Sequence, residues 1–245
     1  MDIFHLALLV VSVLAGGVAA VSGFGIGSLL TPLLALKLDT KLAVAVVSVP
    51  HLVATFTRFW ILRHHIDRQV LIHFGILSAA GGLLGALLNA NFHPSVLTLI
   101  FGFILTFAGF TGSTGLNEKF HFGPKMAWIM GALSGMLGGL VGNQGGIRSA
   151  ALLGFKIDRN TFVGTATAIG VLVDLARMPI YFMNQGPALL AQTNFLIVAT
   201  LGALIGTFFG IIVLKKLPER VFKRLVSFFI LLLGIAMIYK GIFLS

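Results

Sequence analysis

Arg148 lies in the stretch Gly142-Asn143-Gln144-Gly145-Gly146-Ile147-Arg148-Ser149, flanked on both sides by apolar sequence. A guanidinium in such a setting can grip an oxyanion through two parallel hydrogen bonds. It can equally serve as a structural arginine that ties down backbone carbonyls. Asn143, Gln144 and Ser149 could complete the hydrogen bonds to an anion. Asp174 and Arg177 stand three apart, so on a helix they share a face. They form either a buried structural ion pair or a charge partner for Arg148, with Asp174 the candidate carrier of a coupling proton. Arg58 is the third isolated arginine. Arg58 and Arg177 both fall toward the ends of apolar runs, where a long side chain can snorkel to water.

Other chemistries find less support. Ser22 and Ser134 each precede a glycine, but no motif places a histidine to activate either one. His51, His64, His65, His73, His93 and His121 are scattered, without H-E-x-x-H or a similar spacing, so no metal site is expected. No cofactor motif is present. The absence of cysteine excludes disulfides, thiolate metal sites and cysteine nucleophiles.

The elements that must hold these residues are apolar helices. The chain has 245 residues, 58% hydrophobic and only 10% charged, with a mean hydropathy of +1.04. A soluble protein of this size has too little interior for so much apolar surface, so an all-α integral membrane protein is expected. Helices are predicted at 4–22, 26–36, 41–62, 69–90, 95–112, 124–142, 147–155, 160–184, 192–214 and 219–243. The segments 26–36 and 147–155 would rise only about 14–17 Å and cannot cross a bilayer alone. Each follows a glycine-rich break, Gly23-Phe24-Gly25-Ile26-Gly27 in one case and Gly142 to Gly146 in the other. The segment 4–22 lacks the positive flank of a secretory signal and is read as a retained helix.

The chain divides at its most polar link, which contains Asn117, Glu118, Lys119 and His121. A shift of 119 residues carries Gly16 onto Gly135, Gly23 onto Gly142 and Gly27 onto Gly146. It also carries Lys37-Leu38-Asp39 onto Lys156-Ile157-Asp158, Val44 onto Val163, Thr55 onto Asp174 and Arg58 onto Arg177. Two residues out of that register, Gly81 and Gly85 match Gly202 and Gly206. Residues 1–112 are therefore expected to form a first repeat, 113–123 a cytoplasmic linker and 124–245 a second repeat.

Charge separates two topologies. If each broken pair is a re-entrant hairpin followed by three transmembrane helices, the repeats are inverted. One side then gathers Arg63, Arg68, Lys119, Lys125, Lys156, Arg159, Lys215, Lys216, Arg220, Lys223 and Arg224. The other side has Lys37, Lys41 and Lys240. If each broken pair crosses once, the same residues divide nine to five. The eleven-to-three division fits the positive-inside rule better. Inverted repeats with both termini outside and a cytoplasmic linker are expected. The net charge of +10 then reflects membrane orientation, with no basic face suited to nucleic acid.

Broken backbone at membrane depth is tolerated where it is buried in protein or lines a polar cavity. Each break opens a short helix whose first N–H groups lack intrahelical partners and carry partial positive charge. Two such ends meeting would make an anion site built from Gly25, Gly27, Ser28 and Thr31 on one side. The other side would supply Asn143, Gln144, Gly145, Gly146, Arg148 and Ser149. Gly81-x-x-x-Gly85 and Gly202-x-x-x-Gly206-x-x-x-Gly210 are small-residue faces for internal helix packing. The 22 phenylalanines are expected to face lipid or fill packing.

The glycine break followed by Thr31-Pro32-Leu33-Leu34, together with Leu140 through Leu153 in the second half, resembles the TauE/SafE sulfite exporter family, also called the toluene-sulfonate uptake permease family. The resemblance spans essentially the whole chain. It departs at Ala151, which stands opposite Pro32, whereas the commoner pattern has a proline-containing glycine loop in both halves. The resemblance implies a permease for a small sulfur-containing anion such as sulfite or an organosulfonate, and no enzyme. The expected function is secondary transport by alternating access in a bacterial inner membrane, with the anion, the bilayer and a possible coupling proton or cation as partners. A passive anion channel and an intramembrane serine hydrolase are the alternatives.

Overall fold

The computed structural model describes residues 2–115, 124–152, 155, 157–214 and 219–244. Most of the expected linker, including Asn117, Glu118, Lys119 and His121, lies outside the described residues, as do Leu153, Lys156, Lys215 and Lys216. All regular structure among the described residues is helical. The helices are α1 (Ile3–Ser22), α2 (Ile26–Leu34), α3 (Thr40–Leu62), α4 (Arg68–Asn91), α5 (Pro94–Thr114), α6 (Pro124–Val141), α7 (Gly145–Leu152), α8 (Arg159–Leu190), α9 (Thr193–Leu214) and α10 (Glu219–Phe243). Six of them are long and apolar enough among their described residues to cross a membrane. Helix α4 contains one wide π turn at Leu71–Gly75.

The scarce acidic residues start these helices. Asp39 accepts from Leu42 N at 3.1 Å to cap α3. Asp158 accepts from Asn160 N at 2.9 Å and Thr161 N at 3.2 Å to cap α8. These caps satisfy donors that a helix N-terminus leaves open. They also give the repeated Lys-x-Asp sequence its physical reason. Asp2 and Asp67 cap α1 and α4 in the same way, accepting from His5 N and Val70 N, each at 2.9 Å. Thr161 Oγ1 and N both donate to the Asp158 carboxyl, which holds its pKa below the usual carboxylate value.

Helix α8 runs past the expected end at 184 and through Pro187 to Leu190. A proline inside a helix removes one N–H donor. Here that leaves the carbonyl of Met183, a strongly exposed residue, without its helical partner.

Packing interlocks the two halves. Helix α1 lies along α9 in the same direction, with Gly206 against the Val13 carbonyl and Gly16 against that of Ala203. Helix α4 lies along α6 in the same way. There Gly135 meets the Ser78 carbonyl, Gly81 meets Ala132 and Gly85 meets Met136. A side chain at any of these glycines would collide with backbone, so the small-residue faces serve internal contacts. Helices α3 and α8 cross antiparallel, with His51 beside Asp174, Thr55 beside Gly170 and Gly164 against the His65 carbonyl. Helices α5 and α10 also run antiparallel. Leu99 meets Gly241, Gly102 meets Ile238, Thr106 meets Gly234 and Gly109 meets Leu231.

The exterior is apolar: Phe103, Phe107, Phe110, Phe208, Phe209, Phe228 and Phe229 are exposed, while Phe74 and Phe101 fill the interior. At one end of the bundle, Lys240 Nζ donates to the carbonyls of Ala35 and Leu38. Lys41 Nζ donates to Ala90 O at 2.9 Å, and Lys37 Nζ sits 5.3 Å over the Phe4 ring. At the opposite end, Asp67 N donates to Thr165 Oγ1 at 2.9 Å, and His73 stacks on Trp128.

Candidate functional site

The two glycine-rich breaks meet inside the bundle. Gly23 (φ 79°), Gly25 (φ 133°) and Gly142 (φ 76°) all take backbone angles that glycine alone adopts readily. Gly27, in the first turn of α2, lies against the carbonyl of Gly142, and Gly145, at the start of α7, lies against the Phe24 side chain. Ser28 Oγ donates to Asn143 Oδ1 at 3.0 Å and joins the breaks directly. Ser134 Oγ donates to the Gln144 carbonyl at 2.7 Å, so this serine is engaged as a structural donor.

Each break rests on the long helix that follows the other. A Cβ on Gly23 would meet Ala166 Cβ on α8 at 3.2 Å, with Val163 Cα at 3.9 Å. A Cβ on Gly142 would meet Val44 Cγ1 on α3 at 3.6 Å and Thr31 Oγ1 at 3.1 Å. The Thr31 hydroxyl and both polar atoms of the Gln144 side chain are buried without a hydrogen-bond partner.

A short distance along α3 and α8 lies a buried charge cluster. Arg58, Arg148, Arg177 and Asp174 are 3%, 2%, 1% and 0% exposed, so neither Arg58 nor Arg177 snorkels to water. Arg177 Nε and Nη2 stand 3.0 and 2.8 Å from Asp174 Oδ1, and Nη1 donates to the Gly138 carbonyl. Tyr181 donates to the Gly139 carbonyl. His51 Nδ1 lies 2.6 Å from Asp174 Oδ2. Arg148 Nη1 donates to the Ala166 carbonyl at 2.6 Å, the carbonyl-tying role open to it from the sequence. Arg58 Nη2 donates to Thr55 Oγ1 at 3.1 Å, while its Nε and Nη1 are buried without a partner.

Among the described residues, three guanidinium groups are therefore buried with one carboxylate. Two positive charges have no acidic counterpart. An uncompensated buried charge is expensive in a low-dielectric interior, so the arrangement suits an anion. Of the remaining residues named from the sequence, Ser149 is half-buried one residue beyond Arg148, and Gly146 lies in the first turn of α7.

Sequence reasoning passed over His51, Thr55 and Tyr181 as members of this cluster. A signal was present. His51, Thr55 and Arg58 are spaced i, i+4, i+7, and Asp174, Arg177 and Tyr181 are spaced i, i+3, i+7. Each set is one polar stripe on an otherwise apolar helix.

The apolar exterior, the six membrane-length helices and the buried cationic centre define a polytopic helical membrane protein with a polar interior. The sequence profile of the family described as Sulfite exporter TauE/SafE matches residues 8–237. The chain belongs to that family of membrane transporters. No curated protein and no solved structure matches it.

Proposed function

We propose that the protein is a secondary transporter that carries a small oxyanion, such as sulfite or a small organosulfonate, across a bacterial inner membrane. The observation that carries this reading is the buried excess of two guanidinium charges beside two broken helices. Arg148, Asn143, Gln144, Ser149, Gly145 and Gly146 supply one wall of the site, and Gly25, Gly27, Ser28 and Thr31 supply the other. The first N–H groups of α2 and α7 add partial positive charge there.

The architecture we propose is two inverted repeats, 1–112 and 124–245, each a re-entrant hairpin followed by three crossings. Equivalent helices of parallel repeats would run in the same direction, so the antiparallel pairs α3 with α8 and α5 with α10 support inversion. Contact between Lys240 and the Leu38 carbonyl also supports it, because the rival topology puts those residues on opposite sides. Both termini then face outward and the 113–123 linker is cytoplasmic. Rocking of one half against the other around the shared site gives alternating access.

Export is the favoured direction. A negative interior drives a monoanion out with about 2.3 kcal/mol per 100 mV and needs no coupling ion. Asp174, the candidate proton carrier, is engaged by both Arg177 and His51, which supports reading it as a fixed counter-ion.

The test is sulfite counterflow in proteoliposomes of purified protein. Wild type is expected to show saturable counterflow, and Arg148→Ala to lose most of it while still folding by thermal melting. A folded Arg148→Ala protein with wild-type counterflow removes Arg148 from the site. A non-saturable flux in wild type favours a channel.

A further inference from the structure

Arg58 and Arg177 hold equivalent places in the two halves, yet only Arg177 is satisfied. Three residues before Arg177 stands Asp174, which takes both Nε and Nη2. Three residues before Arg58 stands Thr55, a neutral hydroxyl that accepts from Nη2 alone at 3.1 Å. Arg58 Nε and Nη1 remain buried with nothing to accept from them. Guanidinium stays charged in proteins, and a fold rarely keeps its donors buried and unmatched. Such a group is retained where a ligand supplies the missing acceptors.

The relation between the halves gives the location and chemistry of that ligand. His51 shifted by 119 is residue 170, and Thr55 shifted by 119 is residue 174. The contact of His51 with Asp174 therefore becomes the contact of Gly170 with Thr55, and both occur. Carried onto α3, the Asp174 carboxylate would stand at Thr55, beside Arg58. Gly170 packs closely against both Thr55 and Arg148. A Cβ there would stand 3.0 Å from Arg148 Nη1 and 3.1 Å from Thr55 Cγ2. Arg148 is thus a second guanidinium close to Thr55, the acceptor of Arg58. Thr55 Oγ1 also lies 3.4 Å from His51 Nδ1; with that nitrogen donating to Asp174 Oδ2, the hydroxyl keeps its own hydrogen to donate.

We infer that Arg58 and Thr55, faced by Arg148 across Gly170, form the half-site that holds the small oxyanion. Asp174 is a built-in carboxylate that permanently fills the equivalent half-site on Arg177. This deepens the transport reading above, and rests on it, by giving the anion a position. It also explains why the halves differ. One arginine is closed by the protein itself and the other is left open for cargo.

Thr55→Asp tests the inference, because it places a tethered carboxylate three residues before Arg58. Binding is measured by the thermal shift of detergent-purified protein titrated with sodium sulfite and, in parallel, sodium methanesulfonate. Thr55→Asp is expected to melt no lower than wild type and to bind the wild-type probe at least about ten-fold more weakly. Thr55→Asp protein that binds as tightly as wild type overturns the half-site. If Thr55→Asp does not fold, Arg58→Gln decides. A loss of about ten-fold or more in affinity supports the half-site, and affinity within about two-fold of wild type overturns it. Failure of the transport reading looks different: wild type would bind the anion yet show no saturable counterflow. Failure of the half-site alone would leave Thr55→Asp with both binding and counterflow intact.

Discussion

Gly27 of α2 lies directly against the carbonyl oxygen of Gly142, so the two broken segments touch backbone to backbone with no room for a methyl group between them. The contact brings the starts of both short helices to the same place. Gly27→Ala must push them apart. Such overpacking costs about 1–3 kcal/mol, and the Ser28 to Asn143 hydrogen bond is lost with it. A lower melting temperature and strongly reduced sulfite counterflow are expected. An alanine variant that melts and transports like wild type would show that the breaks need not touch.

Asp174 is the only buried acidic side chain among the described residues, and it serves Arg177 and His51 together. Asp174→Asn keeps the shape and removes the charge. It leaves Arg177 buried with weakened compensation, a change expected to cost about 3–5 kcal/mol. His51→Gln removes only the smaller partner of the carboxylate and is expected to cost less, about 1–3 kcal/mol. Chemical or thermal unfolding in detergent ranks the two. Equal losses, or a larger loss at His51, would contradict the pairing of Asp174 chiefly with Arg177.

The broken segments were legible in the sequence because they combine two independent signals, glycine runs and lengths too short to cross. The Lys37-Leu38-Asp39 and Lys156-Ile157-Asp158 match, on which the proposed duplication rests, stood out in the sequence because Asp39 and Asp158 each cap the helix that follows, a role the lipid does not set. The choice of helix neighbours was hidden. Helix α1 pairs with α9 and α6 pairs with α4, yet apolar faces in a membrane protein look alike in sequence. Glycines such as Gly16, Gly81, Gly85, Gly135 and Gly206 mark the close approaches, without naming the partner. His51 was hidden for a different reason. Its carboxylate lies 123 residues away on α8, and the antiparallel crossing that joins them is a tertiary fact. The extension of α8 to Leu190 was missed because Asn184-Gln185-Gly186-Pro187 reads as a break.

The proposed topology can be read directly, because the chain has no cysteine and any single replacement gives a unique thiol. Inverted repeats put Arg63 and Arg224 on one side of the membrane and Lys37 on the other. If each broken pair crosses only once, Lys37 joins Arg224 and Arg63 stands opposite. A membrane-impermeant maleimide applied to intact cells is expected to label Lys37→Cys. It should spare Arg63→Cys and Arg224→Cys until the membrane is opened. Labelling that separates Arg63→Cys from Arg224→Cys in intact cells would reject inversion, whichever of the two is labelled.

Glycines in these helices divide by what surrounds them, and stability should follow that division. Gly186 lies in α8 with nothing within 4 Å of an added Cβ. Alanine there narrows the unfolded ensemble, which typically gains about 0.4–1 kcal/mol. Its Cβ, however, faces the ring of Pro187, which disfavours helical angles at the preceding residue, so little net change is expected. Gly85 makes the opposite environment, pressed on the Met136 carbonyl and on Leu140 N of α6. Alanine there separates α4 from α6, and about 1–3 kcal/mol should be lost. Gly206, its counterpart on α9, meets the Val13 carbonyl and Gly17 N of α1 in the same manner. Gly206→Ala should therefore lower the melting temperature by an amount close to that of Gly85→Ala, while Gly186→Ala changes it little. Opposite signs at Gly85 and Gly206 would mean that the two interlocking contacts between the halves are not equivalent.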